Sequence, residues 1–232
     1  MIRAVLFDLD ETLHDRTSSL RAFLTDQFTR HSRLQRVECD DFIDKFLTLD
    51  ERGRASKAVV YPNLLKALGI LEDETERKSL GETLFGEFDN GFHRFAHAFP
   101  GVDDLLAALR RQDIKSGIVT NGRTEHQKLK LRALNLPQRV DAILISQAED
   151  VWKPDREIFE RAAARLGVTA DECVFVGDSP LYDISGAARA GMRPIWFPNG
   201  SVWPDNLPRV DCPEIAHIDE VLPLVDRMSS AG

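Results

Sequence analysis

The chain has 232 residues, 43% of them hydrophobic and 29% charged, the balance of a soluble globular protein with a sizeable core. Its 30 basic and 38 acidic residues give a net charge of −8, which disfavours a nucleic acid partner. Cys39, Cys173 and Cys212 are too few and too widely spaced for a disulfide framework or a CxxC zinc site. No stretch reaches the roughly 18 apolar residues that span a membrane, and "MIRAVLFDLD" lacks the layout of a signal peptide. A soluble, cytoplasmic protein is therefore expected. No heptad pattern or large apolar patch is legible, so the oligomeric state stays open.

The first element is "IRAVLFD" (2–8), a near-continuous apolar run that ends in a cluster of acids, Asp8, Asp10 and Glu11. Such runs mark parallel strands covered on both faces. Residues 16–97 follow, with no convincing strand. Leu20, Phe23, Leu24 and Phe28 fall at helical spacing, and "SKAVVYPNLLKALGI" and "SLGETLFGEFDNGFHRF" continue the pattern. Pro62 is expected to limit where one of these helices runs. From 98 onward, helix and strand alternate. The strands are "IKSGIVT" (114–120), "DAILIS" (141–146), "ECVFVGD" (172–178) and "RPIWF" (193–197). In "GVDDLLAALRRQ" (101–112), Val102, Leu105, Leu106 and Leu109 share a helix face. "DREIFERAAARLG" (155–167) repeats that layout and closes on Gly167, a plausible C-cap. The expected fold is a doubly wound, Rossmann-like α/β parallel sheet, residues 1–15 and 98–232, with an inserted all-helical domain, 16–97.

Ligands of such sheets bind outside the carboxyl ends of the strands, and polar residues collect there. Asp8 ends the first strand, with Asp10 and Thr12 beyond it. Thr120, Asn121 and Gly122 end the second, Lys153 follows the third, and Asp178, Ser179 and Asp183 follow the fourth. Carboxylates converging in one crevice repel each other, and a hard divalent cation such as Mg²⁺ resolves the repulsion. A metal and a lysine beside hydroxyl and amide donors suit a phosphoryl group. One carboxylate is able to act as a nucleophile and another to transfer protons.

The ordered segments "DLDET", "TNG", "KPD" and "GDSPLYDISGA" resemble the four motifs of the haloacid dehalogenase superfamily, in its phosphatase branch. The helical insertion resembles that superfamily's type I cap. The resemblance spans residue 5 to about 197. It implies that Asp8 attacks phosphorus, and that Asp10 is general acid and base with its backbone carbonyl on Mg²⁺. It implies that Thr120 and the backbone amides of Leu9, Asp10 and Asn121 bind the phosphoryl oxygens, and that Lys153 positions Asp8. Asp178 would ligate the metal, with Asp183 holding its water shell or orienting Lys153. The cap would close over the crevice and read the leaving group. The implied activity is Mg²⁺-dependent hydrolysis of a small phosphorylated metabolite. A phosphomutase with the same four motifs is the alternative. A 2-haloacid dehalogenase is disfavoured because a halide needs no proton from Asp10. A silent binding module is disfavoured because every motif position is filled.

Neighbouring residues have plainer expectations. Glu11 is expected to play no direct part, and His14 either only marks where the insertion begins or borders the crevice. Trp152, Trp196 and Trp203 are expected to pack. The basic stretch "DERGRASK" (50–57) is either a solvated turn or a loop that reads an anionic leaving group.

Overall fold

The structure, a computed structural model, describes residues 1–230. It divides into two compact units: Met1–Asp15 with His97–Gly232, and Arg16–Ala96. His97, expected in the insertion, groups with the sheet unit: Asp15 N–H donates to the His97 carbonyl at 3.0 Å, where the chain leaves and re-enters.

The sheet unit is built on five parallel strands: β1 (Ala4–Phe7), β2 (Lys115–Thr120), β3 (Ala142–Ile145), β4 (Cys173–Gly177) and β5 (Arg193–Trp196). Their order across the sheet is β3-β2-β1-β4-β5. β1 pairs with both β2 and β4, in the register Phe7 to Ile118 and Phe7 to Val176. All four residues of β1 are buried, which is why its sequence is apolar without alternation. The order reverses at β1, so the crevice of a doubly wound sheet opens beyond the ends of β1 and β4.

Helices α5 (Val102–Arg111), α6 (Thr124–Ala133), α7 (Ser146–Glu149), α8 (Arg156–Leu166), α9 (Gly186–Arg189) and α10 (Val221–Ser230) complete this unit. On α8, Ile158, Phe159, Ala162, Ala163 and Leu166 pack with Leu6, Val119, Leu144 and Phe175 of the strands. Asp155 caps the start of α8 by accepting from Glu157 N–H at 2.9 Å, and Gly167 ends it in the left-handed region, φ 70°.

The helical unit holds α1 (Arg16–Arg30), α2 (Cys39–Asp50), α3 (Lys57–Ala67) and α4 (Glu74–Gly91). Its core is aromatic. The Phe23 ring stands edge-on to Phe88, Phe92 and Phe95 at 5.5–6.0 Å, contacts worth roughly 0.5–1.5 kcal/mol each beyond area burial. Two buried polar groups satisfy each other: Tyr61 hydroxyl donates to Gln27 Oε1 at 2.8 Å, and Gln27 Nε2 donates to the Leu84 carbonyl at 3.0 Å. Pro62 does not end its helix but lies inside α3. Its ring packs on α4 at Gly81, where a methyl group would come within 3.2 Å of Pro62 Cγ. Packing thus offsets the hydrogen bond the proline cannot make.

Candidate active site

β1 delivers Asp8 to the crevice. Asp8 N–H still donates to the Val176 carbonyl at 2.9 Å, so the residue is held as a continuation of the sheet. The chain then turns sharply. The Leu9 carbonyl accepts from the amides of Leu13 and His14 at 3.0 and 2.8 Å, and Glu11 takes a left-handed conformation, φ 63°. Glu11 is buried and accepts from Asn199 Nδ2 at 2.7 Å. It supports this turn through that bond.

Lys153 is buried, and its Nζ donates to Asp8 Oδ1 and Asp183 Oδ1, both at 2.6 Å. Its backbone is held from the end of β2. The Asn121 side chain donates to the Lys153 carbonyl and accepts from the Lys153 N–H, both at 2.9 Å. This two-way bond lets a loop residue carry a fixed charge. Burial alone would lower the Lys153 pKa, but Asp183 and Asp8 outweigh it and hold it above its ordinary value.

Asp183 sits in the turn Pro180–Ser185. Its Oδ2 accepts from Ser179 N–H at 2.9 Å. Gly177 makes room for it: a Cβ there would lie 2.5 Å from Asp183 Cβ and Cγ. Asp178 follows Gly177, and its carbonyl accepts from the Trp196 indole at 2.9 Å. Trp196 and Trp203 do pack, edge to face at 5.3 Å, whereas Trp152 stands 47% exposed. Trp152 flanks a lysine that turns inward, so its own side chain is left outside the core.

Asp8, Asp178 and Asp183 are all buried and each offers an oxygen within 4.8 Å of the others. Burial pushes the Asp8 carboxyl well above its usual range; Lys153 opposes this, and Asp183 and Asp178 add to it. Three carboxylates face one lysine. A hard divalent cation fits this all-oxygen set and would relieve the residual repulsion. Cys173 is not a competing nucleophile, since burial pushes its thiol up to about 12.

Asp10 is held differently. His14, fully buried, places Nδ1 2.7 Å from Asp10 Oδ1. The other oxygen faces the Lys130 ammonium and Gln127 Nε2, the latter at 3.2 Å. Gln127 Nε2 also reaches Thr120 Oγ1 at 2.5 Å. Thr120 is buried at the end of β2, and Leu9 has its side chain in the core, which leaves its backbone as the polar part. Gln127 and Lys130 were not legible as site residues. The signal was the pattern of α6, whose buried positions Gln127, Lys130 and Leu131 are mostly polar. A helix that buries polar groups holds them for a partner.

The basic stretch 50–57 resolves in part. Asp50 and Lys57 face inward and pair at 2.5 Å, and Arg16 Nη1 joins Asp50 at 2.8 Å. These groups are structural, whereas Arg54 is exposed.

A family model described as haloacid dehalogenase-like hydrolase matches residues 2–191. A glyceraldehyde 3-phosphate phosphatase of Methanopyrus kandleri is 32% identical over 221 residues, 91% of this chain and 90% of that one. Among solved structures, the HAD-hydrolase YfnB from Bacillus subtilis bound to magnesium is 25% identical with a TM-score of 0.68, covering 97% of this chain and 99% of that one. A 2-haloacid dehalogenase from Pseudomonas syringae is 28% identical with a TM-score of 0.60, over 98% and 99% of the two chains. With the parallel sheet and its strand-end carboxylates, these matches place one conclusion beyond the resemblance first read in the motifs: the chain belongs to the haloacid dehalogenase-like hydrolases.

Proposed function

We propose that this protein is a Mg²⁺-dependent phosphatase that hydrolyses a small phosphorylated metabolite through an aspartyl-phosphate on Asp8. The observation that carries the reading is the Lys153 ammonium bridging Asp8 and Asp183 within a buried three-carboxylate cluster. Asp8, Asp178 and Asp183, with the Asp10 carbonyl, would hold Mg²⁺, which when bound supplies charge for the phosphoryl oxygens. Lys153 fixes one Asp8 oxygen and leaves the other to attack phosphorus, forming the Asp8–phosphorus bond as the ester oxygen departs. Asp10 gives that oxygen its proton, then takes one from the water that cleaves the acyl phosphate. Thr120 and the amides of Leu9, Asp10 and Asn121 would bind the phosphoryl oxygens. The phosphatase activity of the Methanopyrus relative and the magnesium bound to the Bacillus one support the same reading.

The test is a panel of triose, sugar, nucleoside and amino-acid phosphates with Mg²⁺, using Asp8→Asn as the blank. Inorganic phosphate released by the parent protein and not by the variant is expected. An isomerised sugar phosphate without phosphate release would instead favour a phosphomutase. Chloride release from a 2-chloroacid, with no phosphate from any ester, would overturn the assignment.

A further inference from the structure

We infer that Lys130 and Gln127 of α6 are positioning residues that hold the Asp10 carboxylate in register with Thr120, so that proton transfer and phosphoryl binding are aligned as one unit. The inference rests on reading Asp10 as the acid and base. The two residues are three positions apart on one face of α6, and both are buried. Neither ends in solvent, as a lysine and a glutamine on a core-flanking helix ordinarily would.

The Lys130 ammonium meets Asp10 Oδ2. Gln127 Nε2 lies near three acceptors: Asp10 Oδ2 at 3.2 Å, Thr120 Oγ1 at 2.5 Å and the Asn121 carbonyl at 3.2 Å. One amide group thus ties the proton-transfer group to the end of β2. Gly122 makes this approach possible, because a Cβ there would come within 3.1 Å of Gln127 Cγ and Cδ. His14 holds the opposite oxygen, Asp10 Oδ1, at 2.7 Å. With partners on both oxygens, the carboxylate is not able to rotate without breaking a contact. The two essential carboxylates are also sorted by cation: Asp8 has Lys153, and Asp10 has Lys130.

The leaving group separates this role from a structural one. An alkyl oxygen must receive a proton as it departs, whereas p-nitrophenolate departs without one. First-turnover rates and KM are measured for p-nitrophenyl phosphate and for the alkyl phosphate that the panel turns over fastest. Lys130→Met and Gln127→Ala are each expected to slow the alkyl ester by about 10- to 100-fold, the scale of a misplaced reacting group, Lys130→Met with KM within about threefold. First turnover of p-nitrophenyl phosphate by Lys130→Met is expected to stay within about threefold of the parent, which also reports an intact fold, whereas Gln127→Ala, which also releases Thr120, is expected to slow both esters and the alkyl one more. Lys130→Arg is expected to recover most of the loss. On an Asp10→Asn background, Lys130→Met is expected to add less than about threefold. Equal losses on both esters for Lys130→Met, or losses that multiply with Asp10→Asn, would overturn the inference. If Asp10→Asn itself slowed both esters equally, the acid and base reading would fall and take this inference with it.

Discussion

Asp8 is a carboxyl group placed where burial disfavours its charge, and that tension predicts a stability change. Burial raises its folded pKa, Lys153 opposes the rise, and Asp183 and Asp178 add to it. Below the ordinary value of 3.8 both states are protonated and Asp8 costs nothing. As pH climbs past that value the unfolded chain ionises first, so stability falls until the folded pKa is passed. In EDTA, Asp8→Asn is therefore expected to raise the urea midpoint at pH 7 while abolishing turnover. The gain should vanish below about pH 4, the ordinary Asp range; a lower midpoint at pH 7 would contradict the account. Gly177 makes a second case. Its missing side chain leaves the space that Asp183 occupies, 2.5 Å from where a methyl would stand. Gly177→Ala must displace Asp183 from Lys153. We expect kcat to fall about 100-fold and stability by roughly 1–3 kcal/mol, read from steady-state kinetics and urea melts. Asp8, Asp10, Lys153 and Asp178 were legible because each follows an apolar run or a short motif in a fixed order. Gln127 and Lys130 were not, because a side chain reaching back from a helix to a strand end leaves no local spacing in the sequence.

At the scale of elements, the helical unit depends on a buried charge cluster that joins α1, the end of α2 and the start of α3. Asp50 accepts from Arg16 Nη2 at 3.1 Å and from Gly53 N–H at 2.7 Å, and it pairs with Lys57 at 2.5 Å. Burial would raise the Asp50 pKa, but Arg16 and Lys57 outweigh it and hold it below the usual carboxylate value of 3.8. The cluster's contribution is thus fully present above that value and lost as pH falls through the lower folded one. Asp50→Asn removes the charge that Arg16 and Lys57 share, and we expect a loss of about 3 kcal/mol. Urea melts of parent and variant should differ by a constant amount from pH 7 to about 4, then converge at lower pH. A gap that did not narrow at all as the pH falls below 3.8 would show that packing, not charge, carries the loss. The same cluster explains why "DERGRASK" was ambiguous. Its acids and bases look solvated one at a time, and only the meeting of three helix ends shows that two of them face inward.

For the whole molecule, the order β3-β2-β1-β4-β5 brings residues 8, 120, 153, 178 and 183 to one edge of one sheet. A metal held at that edge by the native state alone should stabilise it. Mg²⁺ at about 100 times its Kd is worth ~2.7 kcal/mol, or several degrees in Tm for a chain of this size. Asp178→Asn is expected to lose most of that shift, as read by thermal melts with and without EDTA. A shift equal to the parent's would remove Asp178 from the ligand set. The parallel sheet itself was legible because its buried strands carry unbroken apolar runs, such as Ala4–Phe7 and Cys173–Gly177. Pro62 was misread because propensity treats a helix as isolated, whereas α3 leans on Gly81 of its neighbour.

By itself, the sequence determined what short-range chemistry determines: where strands end, where helices are capped, and which ionisable groups follow each strand. Those are properties of a few adjacent residues, since backbone geometry and hydrophobic period act locally. Tertiary structure alone decided the pairings. It set Lys153 between Asp8 and Asp183, gave Asp10 to Lys130, Gln127 and His14, and turned Glu11 toward Asn199. Charge pairing acts through space over a few ångströms, and β1 and α6 are brought that close only by the order in which the strands are laid down.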